Sequence, residues 1–179
     1  GPLRGHRGDV RAPGTSPGEG VFVTALEQAL LSGEADVAVH SAKDMPLVAE
    51  PGLVVAAYPE RADPRDALVA ALLAEAAAGA RLGTDSLRRA GFLLRLRPDL
   101  RHQPLHGNVD TRLRKLDAGE VDALLLASAA LDRLHATAVN QLERLDPGIF
   151  VPAPAQGAIA LEAPTGSRLL DAMRRLDDQ

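Results

Sequence analysis

Apolar positions along this chain change their period several times, and each change predicts an element. Over residues 21–32 they recur at helical spacing, with Phe22, Leu26, Ala29 and Leu30 on one predicted face and Gly33 as the stop. A short apolar run over 35–39 predicts a strand, and 52–57 a second. Between them the pattern breaks into His40, Ser41, Lys43 and Asp44, and Pro46 blocks a helix. The first strand is therefore expected to end by placing a hydroxyl, an ammonium and a carboxylate at its rim. Met45 precedes the proline and is biased to extended backbone, which would keep Asp44 off a helix.

Residues 59–66 are charged and Pro-containing and read as a connector and hinge. The run 67–80 reads as a strand followed by an Ala-rich helical segment, and 81–96 as a turn feeding a helix. Residues 105–119 read as a strand end, a loop and a helix, and 121–134 as a strand followed by a helix. The segment 151–162 reads as extended, and 165–179 as one solvated amphipathic helix. Residues 12–20, rich in Gly, Pro and Ser, read as a flexible loop.

One unit recurs. LEQALLSGEADVAV (26–39) and LRKLDAGEVDALLL (113–126) both run from a helix through Gly-Glu-X-Asp into an apolar strand. Two similar α/β lobes joined by a hinge account for this; the other account is that Gly and Asp suit any helix-to-strand turn. The predicted division is 1–60 plus 150–163 in one lobe and 61–149 in the other, with 164–179 a helix leading onward. Two lobes would take a ligand in the cleft between them, at the carboxyl ends of strands, where residues 40–46 fall.

Composition narrows the partners. Hydrophobic residues make up 46% and aromatics 2%, so the core must be Ala, Leu and Val. Few rings for base stacking and a net charge of −4 argue against nucleic acid. No apolar run reaches the roughly 18 residues of a membrane span, and GPLRGHRGD lacks the apolar stretch of a signal peptide, so a cytoplasmic monomer is expected. The absence of cysteine excludes disulfides, thiolate catalysis and thiolate metal sites. Five scattered histidines predict no metal site.

GTDSLRR (83–89) has the logic of an anion site: a Gly turn enters a helix whose first N–H groups are unpaired. Thr84, Asp85 and Ser86 can cap it, and Arg88 and Arg89 add forked donors for carboxylates. An ordinary capped helix with a basic face fits equally. The same logic covers HGNVDTR (106–112), with Arg112 as the basic group; His106 by itself reads as structural. Arg95, Arg97 and Arg101 read as solvated surface. Asp44 reads either as a solvated strand end or, among Lys43, Arg88, Arg89 and Arg112, as the carboxylate of a site for an anionic small molecule. One carboxylate among cations suits chemistry that develops positive charge beside it.

The stretches ALEQALLSGEADVAVHSAKDMP, RADPRDALV, LGTDSLRRAGFLLRLRPDL, LHGNVDTRLRKLDAGEVDALLLASAALDRL and VPAPAQGAIALE, in this order, resemble the hydroxymethylbilane synthase (porphobilinogen deaminase) family over residues 18–163. The resemblance implies an enzyme that joins four porphobilinogen units head to tail, releasing ammonia, in tetrapyrrole and haem biosynthesis. It implies two lobes like type II periplasmic binding proteins, hinge-connected across a cleft. The family's catalytic aspartate matches Asp44. Positions that bind acetate and propionate side chains match Ser41, Lys43, Thr84, Ser86, Arg88, Arg89 and Arg112. Positions near the cofactor match Gly107, Asn108 and Gln156.

The sequence also departs from the family pattern. The family holds a dipyrromethane primer through a cysteine thioether in a third domain, and neither that cysteine nor counterparts of that domain and of the N-terminal Gly-Thr-Arg-X-Ser strand occur here. His106 stands where the family usually has Arg, Glu19 and Thr24 where it usually has Lys, and Asp85 where it usually has Ser. Three readings follow: an incomplete copy of the synthase, an inactive paralogue, or a small-anion-binding module.

Overall fold

The computed structural model describes residues 21–134 and 141–178. Glu19 and the loop expected over 12–20 lie outside the described residues. In chain order the elements are α1 (Val21–Leu31), β1 (Ala38–Ser41), a 3-10 turn (Ala42–Asp44), β2 (Leu53–Ala57), β3 (Asp66–Val69), β4 (Arg81–Gly83), α2 (Leu87–Leu96), β5 (Arg101–Gln103), α3 (Val109–Asp117), β6 (Ala123–Ala127), α4 (Ser128–Arg133), β7 (Leu142–Arg144), β8 (Ile159–Pro164) and α5 (Leu170–Arg174). They form two compact α/β units, Gly1–Glu60 with Ile159–Gln179, and Arg61–Ala158.

In the first unit β8 runs antiparallel between β1 and β2, with Ala38 opposite Glu162 and Leu53 opposite Pro164. Leu30, Ala38 and Leu53 form its core, with Leu26 and Ala35 against them. Among the described side chains of α1 the buried ones are Val23, Glu27 and Leu30, so a carboxylate joins the buried face; the side chain of Phe22, expected on that face, lies outside those described. β1 extends to Ser41, further than the apolar run suggested, because His40 points inward and finds a partner there.

The second unit has a five-stranded sheet in the order β5-β4-β6-β3-β7. β4 pairs in parallel with β5 and β6, while β3 pairs antiparallel with β6 and β7. Side chains alternate across it. Leu68 of β3 and Ala123 and Leu125 of β6 pack on one face with Leu82, Leu93 and Phe150. Ala67 and Val69 of β3 and Leu124 and Leu126 of β6 pack on the other with Val121 and Leu131. A sheet covered on both faces explains why Ala-Leu-Val and Ala-Leu-Leu-Leu-Ala are unbroken apolar runs.

The glycines of the two Gly-Glu-X-Asp turns do the same work in separate units. Gly33 and Gly119 take φ of +77° and +74°, the left-handed form that ends α1 and α3. Asp122 then accepts from the backbone N–H and guanidinium of Arg81, and these hydrogen bonds, the side-chain one first, pull its carboxyl down to about 2.

Several expectations are corrected. No helix forms over 70–80: Ala70 has φ +71°, Gly79 has φ +80°, and single turns such as Ala76 N–H to Leu72 O replace it. So short a segment gains little from helical propensity alone. Arg97 is not plain surface; it pairs with Asp99 and donates to the carbonyls of Leu73 and Ala76, pinning that segment. Only Ile159–Pro164 of the extended stretch is a strand, and the tail forms only the short α5, with Met173 buried. Residues 150–158 belong to the second unit, where Phe150 fills the core, and the tail belongs to the first. Strands β5 and β7 were not legible; both are three-residue, largely polar edge strands.

Candidate functional site

Residue Asp66 opens β3 opposite Ala127, the last residue of β6. It therefore stands on the rim where the parallel strands β4, β5 and β6 end, the edge at which open α/β sheets bind ligands. Its side chain is wholly buried, and an unpaired carboxylate there would be costly. Arg89 Nε donates to Asp66 Oδ1 at 2.8 Å, and Arg88 Nη2 lies 2.7 Å from Asp66 Oδ2. Arg89 also donates through Nη1 to Leu125 O and through Nη2 to Gln156 Oε1, each at 3.3 Å. Gln156, 1% exposed, donates to Pro64 O at 2.7 Å and to Asp66 Oδ1 at 3.0 Å. Burial pushes the Arg89 guanidinium below the ordinary arginine range; Asp66 opposes this, while Arg88 and Arg112 add to it.

The two arginines therefore differ. Arg89 is an interior cation, buried and bonded through Nε, Nη1 and Nη2 to protein groups. Arg88 leans on Asp66 and donates to Val151 O, yet its side chain keeps 24% of its surface in solvent.

The turn after β4 is locked from both sides. Thr84, fully buried, donates its N–H to Gln103 O at 3.1 Å, and its Oγ1 accepts the Ser86 N–H at 3.2 Å. Ser86 is the N-cap of α2, accepting from the Arg89 N–H. Asn108 plays the same part for α3, accepting the Thr111 N–H at 2.8 Å. Gly107 has φ +120°, and a Cβ there would stand 2.7 Å from Thr111 Cγ2, so this loop requires glycine.

Asp85 joins the loop after β4 to the loop after β5. Its Oδ1 accepts the Leu105 N–H at 2.8 Å, and its Oδ2 accepts from Arg112 Nη2 at 3.2 Å with His106 Nδ1 2.9 Å away. Arg112 Nε donates to Gly107 O at 2.7 Å.

In the first unit, Ser41 ends β1, and Lys43 and Asp44 stand exposed on the 3-10 turn rather than on extended chain. Met45 is extended, with φ −74° and ψ 145°, as its proline neighbour demands. Behind them His40 Nε2 lies 3.0 Å from Glu162 Oε2, with both side chains 1% exposed. Glu27 is buried nearby, and its carboxyl is raised by burial first, then by Glu162 and Glu50, against a smaller opposing pull from His40.

The family model described as porphobilinogen deaminase, dipyromethane cofactor binding domain, matches residues 7–171. The chain belongs to the porphobilinogen deaminase family. It is 51% identical over 169 residues to the porphobilinogen deaminase of Acidothermus cellulolyticus, covering 90% of this chain and 51% of that protein. It is 50% identical over 166 residues to that of a Roseiflexus species, covering 90% and 54%, and 50% over 165 residues to that of Caulobacter vibrioides, covering 88% and 50%. The chain thus spans about half the length of these curated relatives. Its backbone also matches the GluR0 ligand-binding core in complex with L-glutamate, at 14% identity and a TM-score of 0.45 over 86% of this chain and 69% of that one. A second match is the probable amino-acid ABC transporter extracellular-binding protein YtmK of Bacillus subtilis, at 13% identity and a TM-score of 0.48 over 85% and 69%.

The second unit brings Arg88, Arg89 and Gln156 onto Asp66, and His106 and Arg112 onto Asp85. Thr84 and Ser86 stay in the turn before α2, and Gly107 and Asn108 in the loop before α3, with other partners. The first unit holds Ser41, Lys43 and Asp44 together. Sequence reading placed Asp66 in a connector and missed its role. The signal was a carboxylate opening an otherwise apolar strand, where burial forces it to find cations. It also missed His40 and Glu162, whose partnership depends on cross-strand register.

Proposed function

We propose that this chain supplies, for a hydroxymethylbilane synthase, the catalytic carboxylate and groups that bind the substrate's acidic side chains. The reaction is the head-to-tail joining of four porphobilinogen units with release of ammonia. The observation that carries this reading is Arg88. It is a guanidinium held at the strand-end rim by Asp66 and Val151 O with part of its surface in solvent. A forked donor so held suits the acetate or propionate of a pyrrole. Asp44 is the proposed catalytic carboxylate: exposed on the turn after β1, it would stabilise positive charge on a pyrrole nitrogen and assist proton transfer. In the first unit Ser41 and Lys43 are proposed to accompany Asp44; in the second Thr84, Ser86, Gly107 and Asn108 are proposed to shape the loops that carry Arg88 and Arg112.

The dipyrromethane of the family fits these residues only in part. Rim cations suit its acidic side chains, but with no cysteine among the 179 residues none can hold it as a thioether. Porphobilinogen is the proposed partner, with neither nucleic acid nor membrane, for a cytoplasmic monomer. The net charge of −4 supports the reading without nucleic acid, and among the described residues no helix is long and apolar enough to cross a membrane.

The test is to add porphobilinogen to the purified chain. Signals of Arg88 and of the Asp44 turn should shift in NMR spectra, and Arg88→Gln should weaken binding. Ammonia and oxidised uroporphyrin should not form above an Asp44→Ala control, because no thiol holds a primer. An absence of any binding response overturns the reading; turnover above that control overturns the need for a thioether.

A further inference from the structure

Three groups from the loop after β5 and from α3 converge on one carboxylate that belongs to the chain itself. The Leu105 N–H, the Arg112 guanidinium and the His106 ring stand 2.8, 3.2 and 2.9 Å from Asp85 oxygens. A backbone N–H, a forked cation and, on the solvent side, an imidazole that is itself 85% exposed surround the two oxygens, a donor set of the kind that recognises a free carboxylate. Arg112 is also drawn back onto its own loop through Gly107 O, which fixes its fork toward Asp85. Asp85 itself is anchored by chain geometry, since Thr84 and Ser86 on either side are tied into β5 and α2.

We propose that Asp85 is a tethered ligand that occupies this donor set and thereby sets the specificity of the rim. Substrate carboxylates are left to Arg88, while Arg112 and His106 meet one only after Asp85 has been displaced. A tethered group competes at a high effective concentration, about millimolar for a flexible link and more for a fixed one. A free carboxylate must overcome that before it enters. This bears on how the proposed site takes its acidic substrate, but it concerns a second carboxylate position and can fail while the Arg88 reading stands.

The probe is sodium acetate, titrated into the purified chain at constant ionic strength with chloride as the balance, while NMR follows the Arg112 Nε–H and His106 ring signals. In the native chain these should stay nearly still. In Asp85→Ser they should shift and saturate, with affinity raised roughly tenfold to a hundredfold, the worth of one or two charge-assisted hydrogen bonds. Asp85→Asn, which keeps the shape and the Leu105 contact, should gain less than Asp85→Ser but more than the native chain. If Asp85→Ser does not fold, Asp85→Asn decides alone. Native signals that respond as strongly as the variants', or folded variants that gain no response, overturn the proposal. Porphobilinogen shifts at Arg88 are recorded in the same samples and report separately on the functional reading.

Discussion

Arg89 Nε donates to Asp66 Oδ1 across 2.8 Å, with both side chains enclosed in the second unit. The bond ties the first turn of α2 to the start of β3. Arg88, the preceding residue along the chain, uses the other oxygen of the same carboxylate. One buried anion thus sorts two neighbouring arginines into an interior cation and a rim cation.

Removing that anion should leave a buried guanidinium without its counter-charge. Asp66→Ala is expected to lower stability by about 3–5 kcal/mol, the cost of breaking a buried pair from one side. Arg88→Gln, which removes the more exposed partner, should cost about 1 kcal/mol or less. Urea denaturation of the two variants checks this; equal midpoints would show that Asp66 is not the hub.

Gly157 has φ +90°, and a Cβ on it would lie 2.4 Å from the carbonyl oxygen of Ala62. Backbone cannot yield as a side-chain tip can. Gly157→Ala should therefore destabilise the second unit by roughly 2–4 kcal/mol, adding a clash to left-handed strain. Gly91→Ala, on an open helix position with nothing near, should be neutral or mildly stabilising. Thermal unfolding of both variants compares them directly.

Glu27 gives a pH signature. Its carboxyl is raised above the ordinary 4.5 by burial and by Glu162 and Glu50, with His40 opposing. A raised carboxyl favours the folded state when protonated. That contribution is complete below the ordinary value and is lost as pH climbs through the raised one. Glu27→Gln should therefore stabilise the protein more at about pH 7 than at about pH 4.5. Denaturation midpoints at the two values decide, and a difference that grows toward acid would contradict the assignment.

Intact mass tests the cofactor chemistry. The purified chain should give its calculated 18.8 kDa with no added pyrroles, because it contains no cysteine. A mass higher by two linked pyrrole units would reveal an attachment other than a thioether.

The sequence by itself determined the α/β class, the repeated helix–turn–strand unit and the apolar strands at the centre of the second sheet. Those are local matters: period, glycine stops and unbroken apolar runs are written in neighbouring residues. It also marked 83–89 and 106–112 as loops with capped helices, since a cap lies within three residues of the N–H it satisfies. Only the tertiary structure decided what the charged groups in those loops do. Arg88 and Arg89 are adjacent and chemically alike, and their fates part because strand pairing buries Asp66 beneath one and leaves the other at the rim. Asp85 and His106 are separate oddities along the chain, and they meet because β4 and β5 lie side by side in parallel. The Ala-rich run at 70–80 favoured a helix locally and lost it to left-handed backbone at Ala70 and Gly79 and to the carbonyl bonds of Arg97. Partners across a sheet depend on register, and a linear pattern carries no record of register for short polar edge strands.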